Sequence, residues 1–160
     1  MEWDIRPYDG LGPLRLGMSP AEVAALPEMG APEAVDTAFD GSVVEFRGLF
    51  RPACNFAGGR LVVIDTGWRV QGVRFGGAEL YRLDPAEAMR LLERAAGGAS
   101  LDMGTVFFMA IGVNASGFWL EQERRFRDPV RDGQDDRGIA VFARGVFDEF
   151  LPEHQPVSFL

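Results

Sequence analysis

Two segments of the chain open with the same four-residue pattern. A small polar residue, proline, alanine and glutamate follow one another at 19–22 and again at 84–87. The polar side chain can accept a hydrogen bond from a free backbone N–H, and proline suits the first helical position. Glutamate three residues after the cap completes a capping box. The pattern therefore predicts helix N-termini at Ser19 and Asp84.

Each predicted helix also has a visible end. Pro27 stops the first, since proline lacks the N–H that a helix interior needs. Gly97 ends the second, because glycine is the usual C-cap residue. Apolar residues repeat at helical spacing along the second segment, at Ala88, Leu91, Leu92 and Ala95. We therefore predict helices over 19–26 and 84–96.

Short segments rich in Val, Ile and Phe follow each predicted helix. The gaps between them have the length of turns, and Gly58 and Gly59 suit a two-residue hairpin turn. The predicted strands are 13–16, 42–47, 51–57, 60–66, 71–75, 79–83, 104–112, 117–123 and 138–144. Six phenylalanines on or beside these strands are expected in the core: Phe46, Phe50, Phe56, Phe75, Phe107 and Phe108.

These elements predict an α+β fold, in which a curved antiparallel sheet packs against two main helices. The sheet would be built from two helix-then-strands halves, about 13–75 and 78–144. No linker separates them, and 160 residues with 47% hydrophobic side chains suit one domain over 1–160.

The net charge and the apolar content of the chain exclude some classes of function. The chain has 24 acidic and 16 basic residues and a formal net charge of −8, which argues against binding phosphate backbones or anionic lipid. No signal peptide is visible, and the longest apolar run, at 106–113, is far shorter than the roughly 20 residues of a membrane span. We expect a cytoplasmic protein that binds neither nucleic acid nor membrane.

Few residues suggest catalysis or metal binding. Cys54 and His154 are the only residues of their types, and no pattern brings them together. A cysteine within a strand such as 51–57 usually packs as a small hydrophobic residue. The segment 132–138 lacks the glycine of a calcium loop, and 10–17 matches no phosphate-binding motif. We predict no cofactor, no metal and no catalytic residue.

Two alternatives remain open. Glu121 and Glu123 share one face of a predicted strand and could serve as a carboxylate pair, or simply protect a sheet edge. A small hydrolytic enzyme that uses a carboxylate pair which the sequence does not identify is the first alternative. A structural or regulatory subunit that self-associates through an apolar patch is the second.

The opening segment 8–23, YDGLGPLRLGMSPAEV, resembles the start of a diffuse group of small bacterial proteins with the pattern G-x-G-P-[IL]-x-[LF]-G-M-[ST]-x-x-E-V. The hairpin at 56–64 and the V-x-F-x-G-x-x-L segment at 73–80 match that group too, so the resemblance covers about 8–113. The helix start is also similar to that of tandem-repeat binding domains such as the beta-lactamase inhibitor protein and small outer-membrane assembly lipoproteins. No lipobox cysteine or export signal accompanies it here.

This resemblance implies a binding role, since some members of the group look like immunity proteins encoded beside secreted toxins. We therefore expect an immunity protein that neutralises a protein partner, such as a basic toxin domain, by occluding it. An acidic surface suits rapid capture of a basic partner. Segment 124–137 carries nine charged side chains in fourteen residues and is expected to be a loop; we name it the charged loop. The predicted contacts are its four aspartates, with two aromatic anchors: Asp128, Asp132, Asp135, Asp136, Trp119 and Phe126.

Overall fold

The computed structural model of the chain describes residues 2–160, which form mainly β-strands. The strands are β1 (Trp3–Arg6), β2 (Gly10–Leu11), β3 (Leu14–Arg15), β4 (Ala34–Thr37), β5 (Val43–Phe46), β6 (Ala53–Ala57), β7 (Arg60–Gly67), β8 (Val73–Phe75), β9 (Ala78–Glu79), β10 (Ala99–Asp102), β11 (Thr105–Phe108), β12 (Val113–Ser116), β13 (Trp119–Leu120), β14 (Arg125–Phe126), β15 (Gly138–Phe142) and β16 (Gln155–Val157). The α-helices are α1 (Pro20–Ala24) and α2 (Pro85–Ala96), and 3-10 helices occupy Met109–Ile111, Glu121–Glu123 and Asp148–Glu153.

A nine-stranded antiparallel sheet forms one side of the molecule. Its strand order is β16-β10-β11-β12-β15-β7-β6-β5-β4. Strands β4 to β7 therefore form one half of the sheet as consecutive neighbours. The later strands form the other half. The two halves meet at the β7–β15 pair, where Ile64 lies opposite Val141.

A smaller sheet and α2 cover the inner face of the large sheet. The smaller sheet has the order β3-β2-β1-β8-β9, and its β1–β8 pair is parallel, with Trp3 opposite Val73. Strands β13 and β14 make a separate two-stranded ribbon. The core between these layers includes Leu11 of the small sheet, Leu92 of α2 and Ile64 of the large sheet, all fully buried.

The prediction of two main helices on a sheet is wrong: residues 2–160 are mostly β, with sixteen strands in three sheets. The capping box of the first helix does form, because Ser19 Oγ accepts from Glu22 N at 3.1 Å and Glu22 Oε1 accepts from Ser19 N at 3.2 Å. The helix nevertheless ends after five residues, at Ala24, two residues before its predicted end at Leu26, and buries only Val23. A good N-terminal signal starts a helix without setting its length.

Helix α2 follows its predicted course from Pro85 to Ala96 and ends at Gly97, whose φ of 77° is left-handed. Its N-cap residue Asp84 makes no side-chain hydrogen bond to the helix, so the second predicted capping box is absent. Near its end, the buried carboxylate of Glu93 accepts hydrogen bonds from Ser158 Oγ and Phe159 N, both at 2.7 Å. These bonds fix the C-terminal segment against α2.

The predicted strand at 117–123 is mostly wrong. Only Trp119–Leu120 is extended, and Glu121–Glu123 turns into a 3-10 helix. No helix within residues 2–160 has both the length and the apolar character to cross a bilayer.

Candidate functional site

The charged loop is held together by its own ion pairs. Arg125 donates to both carboxylate oxygens of Asp132, from Nη1 at 2.7 Å and from Nη2 at 2.5 Å. Asp132 also accepts a hydrogen bond from the Asp128 backbone N–H at 2.6 Å. These bonds hold the pKa of Asp132 well below its usual range, with the Arg125 hydrogen bonds as the largest cause. Asp132 is therefore an internal partner of the loop.

Two other arginines of the loop are removed from solvent, Arg127 buried and Arg137 half-buried. The side chain of Arg127 is only 5% exposed; it contacts Asp136 at 2.9 Å and donates to the Gln134 carbonyl oxygen. Arg137 pairs with Asp135 through Nη2 at 2.8 Å. Burial pushes the pKa of Asp135 upward, but its hydrogen bonds with Arg137 outweigh this and hold it below the usual value.

Arg137 also lies over two aromatic rings of the domain. Its guanidinium carbon is 5.3 Å from the ring centre of Phe118 and 5.6 Å from that of Tyr81. These cation–π contacts attach the charged loop to the folded body. The loop is thus an ordered structural segment.

Because of these contacts, the charge of the loop is largely balanced within the loop itself. Residues 124–137 contain five arginines and four aspartates, so the aspartates do not form a free negative surface. The remaining aspartate, Asp128, accepts from the backbone N–H groups of Val130 and Arg131. Asp128 is nevertheless exposed, and 74% of the Asp136 side chain is exposed. Binding of a partner by Asp128, Asp132, Asp135 and Asp136 stays a prediction.

The two predicted anchors pack against each other. Trp119 and Phe126 face one another across the β13–β14 ribbon, with ring centres 5.1 Å apart in an edge-to-face arrangement. Phe159 completes the cluster at 5.4 Å from both rings. Both anchors are half-buried and help to hold the C-terminus. Trp119 also lines an open groove of about 540 Å³, with Glu121, Glu123 and Asp136 on its walls.

Exposed apolar side chains are concentrated elsewhere, along the β4–β5 hairpin and the turn that follows it. Five of the eleven exposed large hydrophobic residues of 2–160 fall within 35–50, one tenth of the chain. We name these five the hairpin surface: Val35, Phe39, Phe46, Leu49 and Phe50. Val35 pairs with Glu45 and Phe46 pairs with Ala34, so the exposed apolar side chains lie on both faces of the hairpin. Their concentration in one short segment favours an interaction site there.

The expectation that Phe46 and Phe50 are core residues is wrong, since they are 44% and 69% exposed. Phe46 lies on β5 opposite Ala34 of the exposed edge strand β4, so no neighbouring layer covers it. Phe39, at the tip of the hairpin, is fully exposed, and no sequence pattern singles it out. A turn residue there has no periodicity to reveal it.

Hydrogen bonds fix the tip that carries Phe39. Gly41 N donates to Ala38 O at 3.0 Å, which closes a β-turn, and Ala38 N donates to Ser42 O at 2.9 Å. Gly41 takes a φ of 86°, as a three-residue hairpin loop requires. Asp40 accepts from both the backbone and the hydroxyl of Ser42, which lowers the pKa of Asp40. Phe39 therefore extends from an ordered turn.

Carboxylates lie along the β4–β5 hairpin, whereas Arg69 shares a pocket with Phe50 at the other end of the hairpin surface. Residues 28–46 contain five acidic side chains and no basic one. Glu33, Asp36 and Asp40 are exposed, whereas Glu45 is buried and paired with Arg47 at 2.9 Å. The hairpin therefore combines apolar side chains with a local negative charge that its own residues do not balance.

Cys54 and His154 are far apart in the fold. Cys54 lies on β6 in the first half of the large sheet, fully buried, and burial raises its pKa to about 12. His154 precedes β16 at the far edge of that sheet. The thiol is therefore a core group. No cluster of three or more metal-ligating side chains occurs among residues 2–160.

His154 instead contacts two residues of β10. Its Nδ1 lies 2.9 Å from Ser100 Oγ, and its Nε2 lies 3.9 Å from Asp102 Oδ2. The histidine ring is buried and packs against Phe107 at 4.5 Å between ring centres. Ser100 and Phe107 also line a shallow cleft of about 260 Å³. No local pattern predicts this contact, because strand pairing brings together positions 54 residues apart.

Comparison with known proteins identifies no relative. No protein-family model matches the chain, and neither curated proteins nor solved structures provide a match. The resemblance of segments 8–23, 56–64 and 73–80 to a group of small bacterial proteins stays a prediction.

Proposed function

We propose that this chain is a protein-binding domain of the immunity type, which neutralises a basic toxin by covering its active surface. We place the contact on the hairpin surface, with Phe39 at the tip as its main anchor. The observation that carries the proposal is the concentration of five exposed apolar side chains within 35–50.

The apolar side chains supply the affinity in this account. Aromatic residues that enter a pocket of the partner dominate the energy of many interfaces, and truncating one commonly costs about 2 kcal/mol or more. Three of the five side chains are phenylalanines: Phe39, Phe46 and Phe50. Phe39 extends from a hydrogen-bonded turn, so little conformational entropy is lost when it enters a pocket.

The charge of the hairpin indicates the kind of partner. Glu33, Asp36 and Asp40 are exposed beside the apolar side chains, with no basic residue between 28 and 46. Long-range attraction between such a surface and a basic protein speeds their association and weakens as salt rises. The charged loop contributes little to this attraction, because its arginines balance its aspartates.

The proposal is tested by capture from the native cells, with the tagged protein as bait and mass spectrometry as the readout. We expect one basic protein, retained at low salt and released as salt rises. Producing that protein alone should arrest growth, and producing it together with this chain should restore growth. A captured protein that is acidic, or whose toxicity this chain leaves unchanged, would contradict the proposal.

One observation favours a second candidate, a hydrolase. Ser100 Oγ contacts His154 Nδ1 while Asp102 lies near the other ring nitrogen, and the cleft beside Ser100 could admit a small substrate. The cleft is bounded by Ala96, Gly97 and Gly98 at the C-terminal end of α2, where carbonyl oxygens point outward. Their partial negative charge disfavours an oxyanion, which is why this candidate ranks second.

A fluorophosphonate probe decides this point. An activated serine attacks phosphorus and releases fluoride, so the hydrolase account expects one label per chain, lost in Ser100→Ala. The binding account expects no labelling above that of the heat-unfolded protein.

A further inference from the structure

The outer edge of β4 is an open end of the large sheet. Among residues 2–160, β4 pairs with β5 alone, and all four of its residues are exposed. A free edge presents unpaired N–H and C=O groups, on which another extended chain can form hydrogen bonds. The edge is continuous with the hairpin surface, since it contains Val35 and leads directly to Phe39.

The hydrogen-bond register shows which groups of β4 are free. Ala38 N donates across the hairpin to Ser42 O, so the N–H of Ala38 points toward β5. Donors alternate along an antiparallel strand, and the N–H groups of Ala34 and Asp36 therefore point the same way. The N–H and C=O groups of Val35 and Thr37 point outward.

The opposite edge of the same sheet is blocked. It is formed by β16, where Pro156 lies opposite Ser100 of β10. Proline has no N–H to donate, so this three-residue strand cannot offer a continuous edge. Strand β4 contains no proline, and its one charged residue, Asp36, disfavours an acidic chain at this edge but not a basic one.

Charge selects among the chains that could add to β4. Two copies paired through this edge would bring Asp36, Glu33 and Asp40 of each copy close together, which costs energy. A segment rich in arginine or lysine would instead meet these carboxylates with opposite charge.

We infer that the edge of β4 binds an extended, basic segment of the partner as an added strand, while Phe39 occupies an apolar pocket next to that segment. This inference rests on the proposed function and specifies how the hairpin surface is used. Main-chain hydrogen bonds to Val35 and Thr37 would set the register, and side chains on either side would select the partner.

Hydrogen exchange at single amides tests the inference with a defined probe. The probe is a synthetic peptide that alternates arginine and valine, and its control alternates glutamate and valine. We expect the N–H groups of Val35 and Thr37 to exchange rapidly in the free protein and to become protected with the arginine peptide alone. Unchanged exchange at both positions, or equal protection by the glutamate peptide, would overturn the inference.

Substitutions at the edge provide the matched test. Thr37→Pro removes an N–H group that points outward and makes no hydrogen bond to β5. We expect the affinity for the arginine peptide to fall by about tenfold or more. Thr37→Val keeps the donor and should bind as wild type. Thermal unfolding checks that each variant folds, and Val35→Pro replaces Thr37→Pro if that variant does not. Wild-type affinity in a folded proline variant would overturn the inference.

Failure of this inference is distinguishable from failure of the proposed function. If the captured toxin still binds the folded Thr37→Pro variant but not Phe39→Ala, the hairpin surface is used without strand addition. If wild type captures no basic toxin, the proposed function fails, whatever the peptide does.

Discussion

Asp132 accepts hydrogen bonds from both terminal nitrogens of Arg125, at 2.7 and 2.5 Å. The pair joins the β13–β14 ribbon to the middle of the charged loop. A carboxylate so occupied contributes to folding and is poorly placed to attract a distant partner. For this reason we place the proposed contact with the partner on the β4–β5 hairpin and not on the charged loop.

Replacing Asp132 with asparagine should lower the free energy of unfolding at neutral pH, because the paired carboxylate is lost. The folded state lowers the pKa of Asp132, so its contribution is present above the pKa of an unfolded aspartate and is lost as pH falls through the folded pKa. The stability difference between wild type and Asp132→Asn should therefore shrink in acid. Urea unfolding at several pH values measures it, and a difference that does not change with pH would contradict this account.

Removing the Ser100 hydroxyl should destabilise the C-terminal segment. Ser100→Ala leaves the buried Nδ1 of His154 without its hydrogen-bond partner, at a cost of about 1–3 kcal/mol. Ser100→Thr retains a hydroxyl and should recover most of this loss. Chemical denaturation compares the three proteins; equal stability of the alanine variant and wild type would show that the contact is dispensable.

Cys54 should make the protein lose stability in alkali. Burial raises its pKa to about 12 from an ordinary 9.0, so the unfolded chain loses the thiol proton first as pH rises. The buried thiol makes its full contribution to stability below pH 9.0, the ordinary pKa. Above it, the free energy of unfolding falls by about 1.4 kcal/mol per pH unit until the folded pKa is reached. Cys54→Ala should show a correspondingly flatter alkaline profile; two parallel profiles would refute this role.

The two helix starts should respond differently to loss of their capping residues. Ser19→Ala removes a formed capping box and should cost about 1 kcal/mol of stability. Asp84→Ala removes a side chain without a cap hydrogen bond and should cost a few tenths of a kcal/mol, through the helix dipole alone. Thermal unfolding of the two variants, measured side by side, compares their losses of stability. A larger loss for Asp84→Ala than for Ser19→Ala would contradict this prediction.

The features that could be predicted from the sequence are local. Ser19 and Glu22 form their capping box because all its groups lie within four residues, and Gly97 ends α2 for the same reason. The short length of α1 could not be predicted from its N-terminal signal. Strand β4 could not be predicted because it has no alternation of buried and exposed side chains.

The candidate site was less predictable, since its properties depend on distant partners. The aspartates of the charged loop look like free charges until Arg127 and Arg137 are seen to pair with Asp136 and Asp135. Phe46 and Phe50 have the composition of core residues, and only the absence of a covering layer leaves them exposed. Burial of this kind is decided by how sheets and helices pack, which no short window contains.

The central claim, that the hairpin surface binds the partner, is tested most directly by comparing two single substitutions. Phe39→Ala truncates the tip of the hairpin, and Val130→Ala truncates an equally exposed apolar residue on the charged loop. Both positions are exposed, so stability should change by less than about 0.5 kcal/mol in either case.

The measurement is the affinity of wild type and the two variants for the captured toxin, determined by titration calorimetry at one salt concentration. The account predicts that Phe39→Ala binds about tenfold more weakly or worse, while Val130→Ala binds as wild type. Full affinity in Phe39→Ala, with a loss in Val130→Ala, would place the contact on the charged loop and contradict the account.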